Sequence, residues 1–324
     1  MTMNVPPPDA AGAAAHVERE AAIAAGDDIV GEAGPVVAGP HFDMAAERRQ
    51  ARRERRRLLL KRPGFIIGSL ILLFWIVCAI GGDNITPNDP INEFDVSNLR
   101  PGSAGHLLGT DQLGRDVLSR LMAGARDVLI VAPIAATLSV VAGTTLGLLM
   151  GYFRGWVDEV ISRIVEVLLS IPVVLMGLLI VATLGSSRLV VILTVAVLFT
   201  PIVTRTVRAA VLSEAQLDYV TSARLRGERS GFVMGREILP NLTPTILVEF
   251  TVRIGYAVFT VATLSFLGAG IQPPSPDWGL AISDSYQLIQ SGQWWISIFP
   301  ALAIASVVIA TNLVADSIEA VMAA

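Results

Sequence analysis

The sequence contains very little lysine, cysteine and histidine. Lys61 is the only lysine among 324 residues, and Cys78 is the only cysteine. The three histidines are His16, His41 and His106. A single cysteine excludes an internal disulfide, and histidines so far apart lack the spacing of metal ligands, so we expect no metal site. A P-loop for ATP needs a lysine in the pattern G-x-x-x-x-G-K-[ST]. Lys61 does not lie in that pattern, so the chain itself supplies no such site.

Charged residues are also scarce. They make up 16% of the chain, hydrophobic residues make up 53%, and the mean hydropathy is +0.62. Soluble domains carry about 25% charged residues, so this composition excludes a disordered chain, a disulfide-rich secreted module and an ordinary cytosolic enzyme. Six charge-poor runs approach or exceed the length of about 20 residues that a bilayer requires: 65–81, 128–153, 167–187, 189–204, 254–276 and 285–315. We therefore predict an all-α, polytopic membrane protein with six transmembrane helices. The fourth run is short, so its helix is expected to continue past Arg205.

The distribution of basic residues predicts the orientation. Residues 48–62 contain nine arginines and lysines against Glu54 alone, directly before the first apolar run. Basic residues near a membrane end stay on the cytoplasmic side, and they are expected to contact anionic lipid headgroups. Four arginines in the predicted outer loop 83–127 oppose this rule, but the first anchor outweighs them. We predict that the N-terminus is inside and that six spans return the C-terminus to the inside.

The composition divides the chain into four parts. Residues 1–47 are acidic and rich in Ala, Gly and Pro, which predicts a disordered cytoplasmic tail; a partner-binding tail is the alternative. The other parts are a basic juxtamembrane segment at 48–62, the first transmembrane helix with its outer loop at 63–127, and a core of five transmembrane helices at 128–324. Within the outer loop, the apolar residues at 113–121 fall on one helical face, which predicts an amphipathic surface helix. Its polar side is expected to carry Arg115, Asp116, Ser119 and Arg120.

Several patterns within the apolar runs predict how the helices pack. The residues Gly143, Gly147 and Gly151 form a small-xxx-small stripe, which predicts close helix packing; a substrate path along the stripe is the alternative. Four prolines in or beside the runs predict kinks, and these are Pro133, Pro172, Pro201 and Pro300. Glu249 and Arg253 are one helical turn apart and are expected to form an ion pair. Asp316 has no evident local partner, and reaching towards the cytoplasmic interface is its simplest role. Trp278, Trp294 and Trp295 suit interface anchoring.

Residues 205–243, called loop 205–243 below, form the one sizeable cytoplasmic insertion after the N-terminal region. Ser213 and Gln216 predict a capping box that starts a helix, which continues to Arg226. Gly227 suits a left-handed helix stop. A second short helix is expected at 232–239, ended by Pro240. The prediction is a helix, a glycine turn and a second helix, a compact shape for docking a partner.

Part of this loop resembles a known family motif. The stretches 218–223, Gly227 and 239–241 resemble the EAA loop of bacterial ABC importer permeases. Thr221 and Ser222 depart from the motif, because they stand where it has Glu and Ala. Glu237 also stands where an apolar residue is common.

Further resemblances lie outside the loop. Residues 106–121, 267–279 and 294–316 resemble the dipeptide/oligopeptide/nickel subfamily of these permeases, and in particular its C-type member. Together with the loop, they cover roughly residues 58–318 in order.

The resemblance implies a function and partners. It implies a type I ABC importer permease fold in the bacterial plasma membrane and transport of peptides or a related small solute. The implied partners are a homologous second permease, two ATPase subunits or domains, an extracytoplasmic binding protein and membrane lipids, with no nucleic acid. The chain itself would have no enzymatic activity and no cofactor, because ATP and Mg²⁺ would bind to the ATPases. The coupling residues would be Asp218, Tyr219, Ala223, Arg224, Gly227, Leu239 and Pro240. An autonomous secondary transporter or channel, or a membrane scaffold, is the alternative.

Overall fold

The structure is a computed structural model that describes residues 57–92, 94–103 and 105–322, without the side chain of residue 83. The predictions for the tail at 1–47 and for most of the basic segment at 48–62 lie outside the described residues. In the part that is described, the chain is helical and forms no β-strand, only two isolated bridges in the outer loop.

The helices differ greatly in length, from 8 to 37 residues. In chain order they are α1 (Pro63–Gly81), α2 (Val117–Phe153), α3 (Gly155–Ser170), α4 (Val173–Leu184), α5 (Arg188–Glu214), α6 (Asp218–Leu225), α7 (the consecutive segments Ser230–Phe232, Val233–Ile238 and Leu239–Asn241), α8 (Thr243–Phe266), α9 (Trp278–Ser285) and α10 (Trp295–Met322). Five of them, α1, α2, α5, α8 and α10, are long and apolar enough to cross a membrane. The expected continuation of the fourth run past Arg205 is confirmed by the length of α5.

The third predicted span, 167–187, is not one straight helix. Its residues belong to α3 and α4, which meet at an angle of 92°. Pro172 causes the break, because a residue before proline avoids helical geometry, and Ile171 is extended with φ −91° and ψ 129°. With 12 residues, α4 is about 18 Å long, which is shorter than the hydrocarbon core of about 30 Å. Within the described residues, only α3 and α4 together can account for a sixth span.

The expected amphipathic surface helix at 113–121 is corrected by the structure. Helix α2 begins only at Val117, where the Asp116 carboxylate accepts the Ser119 N–H at 2.8 Å. Ser119 and Arg120, assigned to the solvent side, are buried. The polar face is buried because the outer loop folds over it: the Ser119 hydroxyl accepts the Asn88 N–H at 3.1 Å. The segment is thus the first turns of a 37-residue helix, and the domain boundary drawn after residue 127 falls inside it.

A histidine joins distant parts of the outer loop. The imidazole of His106 lies between two carboxylates, with Nδ1 2.9 Å from Asp116 Oδ1 and Nε2 3.2 Å from Asp95 Oδ2. The hydrogen bond to Asp116 is the main cause that raises the pKa of His106 above its ordinary value, and the bond to Asp95 adds to it. A buried imidazole between two acids favours the protonated form, so this part of the loop is held by charge-assisted bonds.

The glycine stripe packs closely, as predicted. Its three glycines face valines at the same spacing on α5. The facing pairs are Gly143 with Val203, Gly147 with Val207, and Gly151 with Val211. A Cβ atom at each glycine would lie 2.6, 2.8 and 2.6 Å from the facing Val Cβ, which is closer than real side chains approach. The absence of side chains on this stripe therefore lets α2 and α5 lie side by side through the membrane.

The other predictions for the spans have mixed outcomes. Three of the four prolines lie inside long helices, namely Pro133 in α2, Pro201 in α5 and Pro300 in α10. The ion pair is confirmed, with Arg253 Nε 3.0 Å from Glu249 Oε2. Asp316 is exposed on α10, and its role stays a prediction.

Two of the three tryptophans expected at the interface are buried. Trp278 and Trp295 are 1% and 3% exposed, and their indole N–H groups donate to the carbonyls of Leu121 at 3.0 Å and Thr110 at 3.3 Å. Only Trp294 remains exposed. The anchoring prediction is therefore corrected for the first two, because their bonds to the start of α2 and to the outer loop keep both rings inside the protein.

Candidate functional site

The first half of loop 205–243 begins differently from the prediction. Helix α5 continues to Glu214, so Ser213 is an exposed residue of its last turn and does not start a new helix. The helix continues because Val207 and Val211 remain fully buried along it. A short turn at 215–217 follows, and α6 then begins at Asp218 without a side-chain cap.

Helix α6 has one buried face and ends at a glycine. Val220 and Ala223 are fully buried, within an apolar cluster that also contains residues from α5, α7 and the turn before α8. At the end of α6, the Gly227 N–H donates to the Arg224 carbonyl at 3.0 Å and the Glu228 N–H to the Ala223 carbonyl at 3.2 Å. These two bonds are those of a Schellman motif. Gly227 has φ +73°, so the predicted left-handed helix stop is confirmed.

Tyr219 connects α6 to both neighbouring helices. Its hydroxyl donates to Glu214 Oε1 at 2.7 Å and accepts the Asn241 side-chain N–H at 2.9 Å. Burial, and then the nearby Glu214 carboxylate, raises the pKa of Tyr219 to about 12. The phenol therefore stays protonated at neutral pH and keeps donating. This single side chain fixes α6 between the end of α5 and the end of α7.

The second half of the loop is one helical segment, longer than expected. It begins at Ser230 and ends at Asn241, with a π-helical part at Val233–Ile238, whereas 232–239 was predicted. Pro240 does not end it, because the helical segment continues to Asn241. Leu239 is half-buried and Pro240 is exposed. The segment is seated by Val233 and Ile238, which are fully buried.

Large apolar side chains point outward from this loop. Leu225, at the end of α6, is 84% exposed, while Leu217 and Phe232 are 47% and 44% exposed. Leu217 directly precedes α6, and Phe232 lies in α7. The same part of the loop carries exposed Asp218 and Arg224. The sequence prediction did not include the three apolar side chains. Their apolar character within a charged loop was the available signal, because an exposed apolar patch with a polar rim is typical of a docking surface.

Polar contacts join this loop to the transmembrane helices. The Arg224 guanidinium lies 4.6 Å from the centre of the Tyr152 ring near the end of α2, a cation–π contact. Arg208 on α5 donates from Nε and Nη2 to the two Asp158 oxygens on α3, each at 2.6 Å. These contacts hold the loop against α2, α3 and α5. The exposed residues Leu217, Leu225 and Phe232 are called the apolar tip of the loop below.

Comparison with known proteins places this arrangement in a family. The family described as "Binding-protein-dependent transport system inner membrane component" matches residues 143–323, which include the glycine stripe and loop 205–243. The chain is also 38% identical over 268 residues to the glutathione transport system permease protein GsiD of Pectobacterium atrosepticum, covering 82% of this chain and 89% of that protein. It is 37% identical over 267 residues to the dipeptide transport system permease protein DppC of Alkalihalophilus pseudofirmus, covering 82% and 88%. A di/tripeptide transport system permease protein DppC of Pseudomonas aeruginosa is 36% identical over 262 residues, with 79% and 86% covered.

The chain belongs to the inner-membrane permease family of binding-protein-dependent transport systems. The resemblance drawn from the sequence is thereby confirmed, and so is the type I ABC importer permease fold. The permease is a multi-pass protein of the bacterial plasma membrane. The relatives align over most of their own length, so the similarity extends beyond the part that carries loop 205–243.

Proposed function

We propose that this permease forms half of the translocation pathway of an ATP-driven importer for di- or tripeptides, glutathione or a related small solute. The names of its relatives, at 36–38% identity over about four fifths of the chain, support this substrate class. The family implies partners in general, and we propose a homologous second permease, two ATPase subunits or domains and an extracytoplasmic binding protein. Hydrolysis of ATP, with its Mg²⁺, belongs to the ATPases, because the chain lacks the lysine of a P-loop.

The exposed apolar tip of loop 205–243 carries the coupling proposal. Leu225 is the most exposed large apolar side chain in the described residues, and it stands on a helix whose opposite face is fully buried. A side chain held out of the protein on a rigid support is suited to a pocket on a partner, since little conformational freedom is lost on binding. We assign α6 to the cleft of an ATPase subunit.

Each predicted coupling residue has a place in this proposal. Ala223 seats α6 and Gly227 ends it, while Tyr219 fixes it between α5 and α7. Asp218 and Arg224 form the polar rim. The pair Leu239 and Pro240 belongs to the supporting segment α7. ATP binding would draw the ATPases together and move both permeases' loops with them, turning the pathway from inward-facing to outward-facing.

The assembly proposal is tested by purifying the tagged chain from its native membrane in mild detergent and identifying the proteins that come with it. We expect a second permease and P-loop ATPases, and we expect Leu225→Asp to lose the ATPases but keep the permease. The matched control is Leu60→Asp, the same change at another exposed leucine on the predicted cytoplasmic side. A stable complex of this chain alone, or ATPases retained by Leu225→Asp, would refute the coupling role.

The substrate class is tested separately by uptake. A strain without this chain should lose ATP-dependent uptake of labelled dialanine or glutathione, and the unmodified chain should restore it. Leu225→Asp should not restore it, whereas Leu60→Asp should. Uptake in vesicles that contain this chain without ATPases, driven by an ion gradient, would instead support an autonomous transporter. Undiminished uptake of both solutes by the deletion strain would refute the substrate class.

A further inference from the structure

A half-enclosed cavity lies outside the coupling region, at the other end of the transmembrane helices. It has a volume of about 270 Å³ and is formed by the outer loop, the start of α2, helix α9 and the start of α10. Pockets for drug-sized ligands have about 300–1,000 Å³. A cavity slightly below that range holds about nine waters at about 30 Å³ each, or one small solute.

One wall of the cavity carries two arginines that share a single carboxylate. Arg115 Nε lies 2.7 Å and Arg120 Nε 3.6 Å from the same oxygen, Asp111 Oδ2. The other oxygen of Asp111 already accepts the backbone N–H groups of Leu113 and Arg115, each at 2.9 Å. Both oxygens of this carboxylate are thus occupied, and it offsets one of the two positive charges. The carboxylates of Asp284 and Asp277 also act on Arg120 electrostatically, without forming a hydrogen bond to it.

The guanidinium groups retain free donors. Arg120 Nη1 donates to the Pro90 carbonyl at 3.1 Å. Among the residues that the structure describes, Nη2 of Arg120 and both terminal nitrogens of Arg115 have no hydrogen-bond partner. The side chain of Arg120 is only 10% exposed. These free nitrogens are not sealed from solvent, so an anion can reach them, and paired guanidinium donors match the two oxygens of a carboxylate.

Another wall of the cavity has the opposite charge. Asp284 is exposed and lines the cavity, and its backbone carbonyl accepts the Gln112 side-chain amide. In the described residues, its carboxylate lies within salt-bridge distance of no cation and acts on Arg120 only through longer-range electrostatics. Leu113, which is 58% exposed, adds apolar surface to the same cavity. Donors for an anion, an acceptor for a cation and an apolar wall therefore line a space that fits one small molecule.

We propose that this cavity binds a small zwitterion of the amino-acid class. Its carboxylate lies against Arg115 and Arg120, its ammonium group faces Asp284, and its side chain lies against Leu113. A free amino acid and a dipeptide share this chemistry. The site is separate from loop 205–243 and needs no assumption about the solute that is transported, so its failure and that of the importer proposal are distinguishable.

Binding is measured by equilibrium dialysis on the detergent-purified complex that contains this chain, without the binding protein. The probes are labelled alanine and dialanine, with alaninamide and N-acetylalanine as competitors that lack the carboxylate charge and the ammonium charge, respectively. We expect saturable binding of alanine or dialanine, and competitors at least about tenfold weaker than the unlabelled zwitterion. Binding of alanine alone, of dialanine alone or of both shows whether the cavity accepts a free amino acid, a dipeptide or either one.

Variants assign the binding to this cavity. Arg115→Gln and Asp284→Asn should each weaken it by about tenfold or more. The Asp284 side chain forms no hydrogen bond in the described residues and acts on Arg120 only through longer-range electrostatics. Asp284→Asn should therefore change the unliganded thermal midpoint little, and it keeps the test valid if Arg115→Gln misfolds. The matched control, Arg100→Gln, removes the same charge from an exposed residue of the outer loop outside the cavity. Absence of saturable binding, or equal affinity in Asp284→Asn and the unmodified chain, would overturn the proposal.

Discussion

Replacing Gly227 with alanine should loosen the end of α6 through backbone strain alone. Gly227 has φ +73°, and no atom lies within 4 Å of the position that a Cβ would take, so the change creates no clash. A residue with a Cβ in the left-handed region costs about 1–2 kcal/mol. If the strain is relieved when the Schellman turn opens, the opening equilibrium rises by a factor of about 5–30.

Hydrogen exchange measures this effect directly. The reporters are the amides of Gly227 and Glu228, which donate to the carbonyls of Arg224 and Ala223. Both should exchange about 5–30 times faster in Gly227→Ala than in the unmodified protein. ATPase coupling and uptake should fall in the same variant at normal expression.

Two further variants separate strain from other causes. Gly235→Ala places the same methyl group in open space on the neighbouring segment α7, at a glycine without positive φ. In this variant, the amides of Gly227 and Glu228 should exchange at the same rate as in the unmodified protein. Gly227→Asn should exchange close to the unmodified protein, because asparagine tolerates the left-handed region. The strain argument is refuted if Gly227→Ala and Gly235→Ala behave alike, or if asparagine at 227 is as disruptive as alanine.

Three further predictions concern other contacts. Gly147→Ala should cost about 1–3 kcal/mol by overpacking, because its Cβ would lie 2.8 Å from Val207 Cβ and 2.9 Å from the Arg208 nitrogen; a thermal midpoint equal to that of the unmodified protein would contradict this. Arg208→Gln should lower the free energy of unfolding by about 1.5–3 kcal/mol, because it breaks the two bonds to Asp158. Adding Asp158→Asn to this variant should lower it little further. If a double-mutant cycle of thermal unfolding gives additive losses instead, the pair does not act as a unit. Burial raises the pKa of Asp277 to about 6, so the folded state loses stability as the pH rises from about 4 to above 6 and this carboxyl ionises. Asp277→Asn keeps a capping acceptor and should raise the thermal midpoint at pH 8 but not at pH 4, and an equal shift at both pH values would refute the burial argument.

Features set by local sequence were predictable. The left-handed stop at Gly227 follows from the conformational freedom of glycine, and the pair Glu249 and Arg253 follows from helical spacing. The close approach at Gly147 follows from the stripe to which it belongs. In each case, the residues on which the prediction rests lie within a few turns of one another, although the partner of Gly147 is Val207 on α5.

Features set by contacts between distant segments were not predictable in the same way. Ser119 and Arg120 belong to the polar side of an apparent surface helix, but the outer loop folds over them. Trp278 matches an interface anchor by composition, although its indole N–H reaches a carbonyl 157 positions away in sequence. Ser213 has the pattern of a helix start and lies inside a helix, because buried valines keep α5 helical. Tertiary packing overrides local preference in all three places.

Because α5 is one continuous helix, a movement at one of its ends is expected to be transmitted to the other end. Its 27 residues span about 40 Å at 1.5 Å per residue, and the chain passes from its end through one short turn into α6. The valines along its length interlock with the glycine stripe of α2, so the two helices are expected to tilt together rather than bend apart. A tilt of only about 10° at the cytoplasmic end would then displace the opposite end of such a rod by about 7 Å. We therefore expect a small change in the orientation of loop 205–243 to appear as a displacement of several ångströms at the opposite end of α5.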